Sequence, residues 1–347
     1  MALRDRAEQW IAARLLRAPR ALRHWPARRR PVEIDGYRLD PDIQFMCELF
    51  EASGRPPTEA LPIPEARRQM RALSEIAAGP RVELPRVENH TFDGPAGALR
   101  ARLYAPRARG ELLPALTFYH GGGGVLGDLD THDDLCRFLA SVSGCAVVAI
   151  EYRLAPEHPF PAAVDDALAG FRWVVAHAER LGIDPERVAV GGDSMGGSLA
   201  AVVSHRARDE GGPRPAYQLL IYPSTNRGGS TRSRKLFAQG FFLTESLLAW
   251  FVDHYSGGTD PSHPHISPLL ARDFRALPPA FVATVGFDPL RDEGHAYADR
   301  LREAGVSVQH HCHTSLVHGY VQMGGAVDAA QRAIADVGAA LRRGLLG

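Results

Sequence analysis

Lysine is almost missing from this 347-residue chain: Lys235 is its only one, and arginine carries nearly all of the positive charge. A phosphate loop of the Walker type needs a lysine and a hydroxyl residue after its glycines. The glycine run His120–Asp128, HGGGGVLGD, leads instead into aspartates and is not of that kind. Gly122, Gly124 and Gly127 match the spacing of a dinucleotide fingerprint, but the aspartates just beyond would repel a pyrophosphate. Net charge is lacking as well. Lys+Arg and Asp+Glu each total 40, which removes the electrostatic case for a nucleic-acid partner. Cysteine is sparse: Cys47, Cys136, Cys145 and Cys312 stand far apart, with no C-x-x-C pair and no secretory leader ahead of them. Neither a zinc cluster nor a disulfide framework is signalled, and reduced thiols in the cytoplasm are expected. No apolar run approaches the roughly 18 residues needed to cross a bilayer.

What is present is ordinary globular composition, 45% hydrophobic and 23% charged, long enough for one α/β core with a small appendage. From about residue 98, short β-branched or apolar runs alternate with helical stretches, the pattern of a mostly parallel sheet covered by helices on both faces. Segments 114–119, 146–152, 188–192, 218–222, 281–287 and 306–312 read as central strands. Segments 133–142, 163–179, 197–208, 292–304 and 326–341 read as helices. Two stretches fall outside the alternation: residues 1–79, helical in character, and 226–255, which ends in the helical LTESLLAWFVDHY. We expect residues 1–79 to form an N-terminal helical cap. Residues 80–347 would be the catalytic domain, with 226–255 contributing to the cap over the strand ends, where open α/β sheets place ligands. Residues 1–31 form a basic amphipathic segment in which Pro19 interrupts the helical pattern. It reads as a cap helix with a solvated arginine face, and the competing reading is a peripheral membrane contact.

The strongest motif is Gly192–Gly196, GDSMG, between the strand RVAVGG and the helix GGSLAAVVSHRA. A G-x-S-x-G in that context is a nucleophile elbow, a sharp turn that lifts a serine hydroxyl above the sheet while glycines on both sides let the backbone approach. Serine is a weak nucleophile that needs a base, and the base an orienting carboxylate, in the chain order Ser, Asp or Glu, His. Asp288 follows the strand AFVATVGF, and His318 follows VSVQHHC. Both therefore fall at C-terminal strand ends on the edge that carries Ser194. Asp288 also reads as a helix N-cap ahead of Pro289; Asp292 and Glu293 fall inside the next helix and read as structural pairs. The glycine loop then supplies an oxyanion hole, with Gly122 and Gly123 giving backbone N–H groups beside that of Met195. His120 reads as the loop's anchor.

The combination HGGG, YRLAPEHPFPAAVDD, GDSMGG, DPLRDEG and HGY resembles the hormone-sensitive-lipase-like family of α/β-hydrolase carboxylesterases, on its GDSAG-type branch, from roughly residue 95 onward. The resemblance implies hydrolysis of short- or medium-chain esters without metal or organic cofactor. It makes Ser194 the nucleophile, His318 the general base and acid, Asp288 the orienting carboxylate, and Gly122, Gly123 and Met195 the oxyanion hole. Met195 and Ser198 depart from the alanine and asparagine of the motif, and Gly124 stands where a bulky, often aromatic residue is usual. Gly124 is therefore expected to leave open space that sets acyl preference, with Phe242 and Val317 as further pocket candidates. An amidase or deacetylase using the same triad, or a non-catalytic small-ligand receptor on this fold, are the alternatives. A homodimer is compatible with the sequence. YRLAPEHPFPAAVDD reads as structural, with Asp165 or Asp166 paired nearby. The run His310–His313, HHCH, suggests a metal at first sight, but alternation along a strand puts at most two of the four on one face, and a buried strand with tolerated polar residues is the expectation.

Overall fold

The computed structural model describes residues 30–79 and 81–347; most of the basic N-terminal segment lies outside the described residues. A small hairpin comes first, β1 (Glu33–Ile34) and β2 (Tyr37–Arg38), followed by helices α1 (Pro41–Ala52) and α2 (Ile63–Ala77). Then come β3 (Arg86–Gly94), β4 (Gly97–Ala105), β5 (Leu113–Tyr119), α3 (Asp133–Ser143), β6 (Ala146–Glu151), α4 (Ala162–Ala176) and the single turn α5 (Ala178–Leu181). The elbow region follows as β7 (Ile183–Asp193), α6 (Met195–Glu210) and β8 (Gln218–Ile221), with α7 (Arg232–Leu236) and α8 (Glu245–Tyr255) inserted after it. The chain closes with β9 (Ala280–Phe287), α9 (Arg291–Glu303), β10 (Val308–Val317) and α10 (Asp328–Leu346).

Eight strands form one sheet in the order β10-β9-β8-β7-β5-β6-β4-β3. Strands β5 to β10 run parallel, and β4 and β3 join antiparallel at one edge. All six expected central strands are present. The hairpin β3–β4 extends the sheet beyond the expected start of the pattern, and β10 runs five residues past the expected end, to Val317. β10 is an edge strand with one wet side, so its polar residues do not mark its limit.

Side chains alternate between the two faces, which explains why β5 and β9 are buried along their whole length. Ala115 and Tyr119 of β5 enter the core beneath α4, α6 and α9, whereas Leu116 and Phe118 enter the core beneath α3 and α10. A third, smaller core joins Ala66 of α2 and Leu248 and Phe251 of α8 to Val125 and Leu126 of the glycine loop.

The connection reverses direction between β5 and its neighbours β6 and β7, so the crevice for a ligand opens at their C-terminal ends. Register decides what meets there. Tyr119 pairs with Gly192, which brings the His120 loop and the Ser194 turn out side by side. Phe287 pairs with Val317, so the next residues, Asp288 and His318, leave the sheet as neighbours.

Candidate active site

Ser194 sits at φ 54°, ψ −116°, between the end of β7 and the start of α6. Such a conformation costs on the order of 1–3 kcal/mol and persists only where the surroundings over-determine it. Here the Ser194 N–H donates to the Ile221 carbonyl at 2.9 Å, and the Ser194 carbonyl accepts from Ser198 N at 3.1 Å and Ser224 N at 3.2 Å. Glycine is mandatory on both sides: a Cβ at Gly192 would lie 2.1 Å, and one at Gly196 1.8 Å, from the Tyr119 carbonyl oxygen.

His318 Nε2 lies 2.9 Å from Ser194 Oγ, and His318 Nδ1 lies 2.9 Å from Asp288 Oδ2. Asp288 is fully buried, and its other oxygen accepts from Leu290 N at 2.8 Å. The N-cap expected of Asp288 is displaced: α9 begins at Arg291 with Leu290 as its cap residue, and Asp288 instead closes the turn ahead of it. Pro289 is accordingly not helical. The Tyr222 ring packs at 4.5 Å against the imidazole. Asp292 pairs with Arg291 at 3.1 Å and accepts from Ser233 N at 2.7 Å, as a structural carboxylate should. Glu293 is buried and accepts from Thr225 N at 2.6 Å and Asn226 N at 3.0 Å. Burial pushes its pKa up to about 8 against the pull of those two N–H groups.

The glycine loop turns back on itself at Gly122, whose carbonyl accepts from Val125 N at 3.0 Å and Leu126 N at 2.8 Å. Gly122 and Gly123 adopt φ 113° and 66°. A Cβ would strike the Leu126 carbonyl in the first case and the Phe251 ring in the second, each at 2.2 Å. The N–H groups of Gly122 and Gly123 meet no acceptor among the described residues, and both glycines line the cavity that Ser194 and His318 also line. His120 is buried with its ring stacked on Tyr152 at 4.4 Å. Its Nδ1–H donates to the Gly121 carbonyl at 2.8 Å while Tyr152 Oη donates to the His120 carbonyl at 2.7 Å. Burial, then the neighbouring His132, lower its pKa to about 4, so near neutral pH the ring is uncharged.

The cavity holds about 270 Å³. Its roof comes from α1, α2 and the segment 226–255, through Phe50, Met70, Leu73, Phe242, Leu248 and Phe251. Phe242 lines the cavity, held at φ 64° with its ring edge-on to Phe50 at 5.8 Å. Two pocket expectations need correction. Val317 is fully buried in the core under α10 and does not line the cavity. Gly124 leaves no open space, because a Cβ there would lie 2.5 Å from the Tyr255 ring, which α8 supplies to fill the position. YRLAPEHPFPAAVDD is structural as read: Arg153 grips the buried Asp166 at 2.7 and 2.8 Å, and Asp165 pairs with Arg206 at 2.7 Å.

Two residues to which the sequence assigned no role complete the site. Asp193, directly before the serine, accepts from Gly121 N at 2.8 Å and pairs with His132 at 3.2 Å. Burial alone would raise its pKa, but His132 and the Gly121 N–H together bring it below the usual carboxylate range. A buried acid at the end of an apolar strand was the available signal. Arg227 had none. It is buried beside the cavity, donates to the Gly123 carbonyl at 3.3 Å, touches the Met195 thioether, and stacks over Tyr255 at 4.6 Å. Met195 thus departs from alanine at a place where its side chain meets Arg227 rather than the cavity.

An Asp–His–Ser relay facing unengaged backbone donors is suited to acyl transfer through a covalent intermediate. Residues 116–322 match the family of the α/β hydrolase fold. Over 310 residues the chain is 47% identical to the carboxylic ester hydrolase LipN of Mycobacterium tuberculosis, covering 85% of this chain and 81% of that one. It is 38% identical over 317 residues to an ethyl acetate hydrolase of Pseudomonas putida, covering 88% and 99% of the two chains. Among solved structures, an ester hydrolase from the metagenome of Lake Arreo, complexed with a bipyridine phosphonate derivative, superposes with a TM-score of 0.85. It is 44% identical and covers 88% of this chain and 98% of its own.

Proposed function

The chain belongs to the α/β-hydrolase family and is a serine carboxylic ester hydrolase, and from that premise we propose that it cleaves short- to medium-chain esters by a Ser194–His318–Asp288 relay. The supporting observation is the unbroken hydrogen-bonded chain from Asp288 through His318 to Ser194, 2.9 Å at each link, opening on a cavity with free glycine N–H groups. Ser194 Oγ attacks the ester carbonyl carbon as His318 Nε2 takes its proton. Negative charge moves to the carbonyl oxygen, where the N–H groups of Gly122, Gly123 and Met195 receive it. The C–O bond to the alcohol then breaks, and His318 returns the proton to the leaving oxygen. Water, deprotonated by the same imidazole, attacks the acyl carbon; the bond to Ser194 Oγ breaks, the imidazolium returns its proton to that oxygen, and the acid leaves. Asp288 holds the Nδ1–H tautomer and stabilises the imidazolium that forms.

The size of the cavity supports a small acyl group. About 270 Å³ lies just below the usual range of small-molecule sites, roughly 300–1,000 Å³. Residues 30–79 and 226–255 act as the cap in this reading; the rest of the expected N-terminal cap, residues 1–29, lies outside the described residues. The four free cysteines agree with a cytoplasmic setting. No helix among the described residues is long and apolar enough to cross a membrane; peripheral membrane contact through residues 1–31 is the competing reading of that segment, and pairing as a homodimer is compatible with the proposal. A series of p-nitrophenyl esters of graded acyl length tests the substrate class, with Ser194→Ala as the blank. Maximal kcat/KM on short or medium chains is expected; a maximum on the longest chains, or higher rates on matched anilides, would overturn it.

A further inference from the structure

The run His310–His313 divides cleanly across its strand. His310 and Cys312 face α9, where Thr284 Oγ1 bonds both His310 Nε2 at 3.0 Å and His295 Nε2 at 2.9 Å. His311 and His313 point to the other face, their rings 4.5 Å apart. There Asp336 of α10 joins them, and one ligand atom from each of His311, His313 and Asp336 lies within 4.8 Å of the other two.

We propose that His311, His313 and Asp336 form a binding site for a divalent transition-metal ion of the zinc type, separate from the catalytic relay. Two imidazoles and one carboxylate are ligands that Zn²⁺ accepts, with water in the fourth position. Zn–N and Zn–O bonds of about 2.0–2.2 Å in a tetrahedron set ligand atoms roughly 3.4 Å apart. The trio has to draw in by at most about 1.4 Å, a movement that the exposed His311 and Asp336 can make by side-chain rotation.

A second observation comes from His313. It is 9% exposed, and its buried Nε2 has no hydrogen-bond partner among the described residues. Buried polar groups are nearly always satisfied, so an orphaned imidazole beside a second imidazole and a carboxylate is unusual. Neither His311 nor Asp336 makes a side-chain hydrogen bond or ion pair among the described residues, so no such bond has to be broken to admit an ion. Access is open because β10 is the sheet's edge strand. The ion would tie β10 to α10. His313 packs at 5.5 Å on Tyr320, Tyr320 at 5.3 Å on Tyr222, and Tyr222 on His318, so the clamp lies behind the catalytic loop rather than in it.

The test is calorimetric titration of ZnCl2 into the EDTA-treated full chain and into His311→Gln and Asp336→Asn, with thermal unfolding of each with and without Zn²⁺. One ion per wild-type chain is expected, with an increase in Tm. Each variant should bind at least about tenfold more weakly and lose the Zn²⁺-dependent increase in Tm. Both variants change exposed side chains, so their Tm and ester hydrolysis in EDTA should equal those of wild type. The visible absorption of Co²⁺ bound in place of Zn²⁺ gives an independent reading, a four-coordinate spectrum in wild type that both variants lose. Absence of stoichiometric binding to wild type overturns the proposal. So does equal affinity in the variants, which would place the ion elsewhere, for instance on His318.

Discussion

The strand-end loops and the helices above them face the same cavity but are built to different tolerances. In the loops the backbone leaves no room: a single added Cβ at Gly196 would lie 1.8 Å, and one at Gly192 2.1 Å, from one carbonyl oxygen. In the helical roof the cavity is bounded by Phe50, Met70, Leu73 and Leu248, apolar side chains whose replacement changes shape more than chemistry. The contrast assigns reactivity to the fixed backbone and choice of substrate to exchangeable side chains. Variants in the loops should therefore reduce kcat by orders of magnitude, and variants in the roof should redistribute kcat/KM among substrates.

The largest effect short of removing the serine or its base His318 is expected from Asp288→Asn. The amide favours the wrong tautomer of His318, and the corresponding change in a protease triad costs about 10⁴ in kcat. Steady-state assays with one p-nitrophenyl ester will measure it. A loss below tenfold would mean that another carboxylate orients the imidazole. Gly123→Ala comes next. Its Cβ would meet the Phe251 ring at 2.2 Å, displacing the loop and one N–H donor; roughly 10²–10³ in kcat is at stake, with KM changing little. If KM rises while kcat holds, the loop binds substrate and does not stabilise the oxyanion.

Arg227→Met is predicted to be milder, roughly tenfold in kcat, because it removes the donor to the Gly123 carbonyl while keeping bulk against Tyr255 and Met195. A variant as active as wild type would show that the loop holds its shape without this contact. Phe242→Ala should be the mildest. A larger cavity should raise kcat/KM for longer chains relative to short ones by about tenfold or less. An unchanged chain-length profile would remove Phe242, and with it part of the roof, from substrate choice.

The same contrast governs what could be read from the sequence. The elbow, the strand-end positions of Asp288 and His318, and the glycine loop were legible because each depends on local spacing: a strand, a turn residue, a helix. The β3–β4 hairpin has a turn signal in FDGPAG, with its glycines and proline, and the small β1–β2 hairpin has an equally readable one in Asp35–Gly36, both residues at positive φ, but neither lies in the strand–helix alternation that marks the core. Asp193 to Gly121 spans 72 positions and Arg227 to Gly123 spans 104, and no local pattern encodes such pairs. The reading of Gly124 as open space failed for that reason. A missing side chain is visible in a sequence, but the Tyr255 ring that replaces it arrives from a distant helix.

The central claim is that Ser194 becomes acylated and that His318 drives the step. Incubation with a p-nitrophenyl alkylphosphonate, followed by intact mass and peptide mapping, tests this most directly, because phosphonylation traps the reactive serine as a stable adduct. One adduct per chain on Ser194 is predicted, with activity lost in proportion to labelling and no adduct on Ser194→Ala. Labelling at another residue, or full ester hydrolysis by chains fully modified at Ser194, would contradict the account.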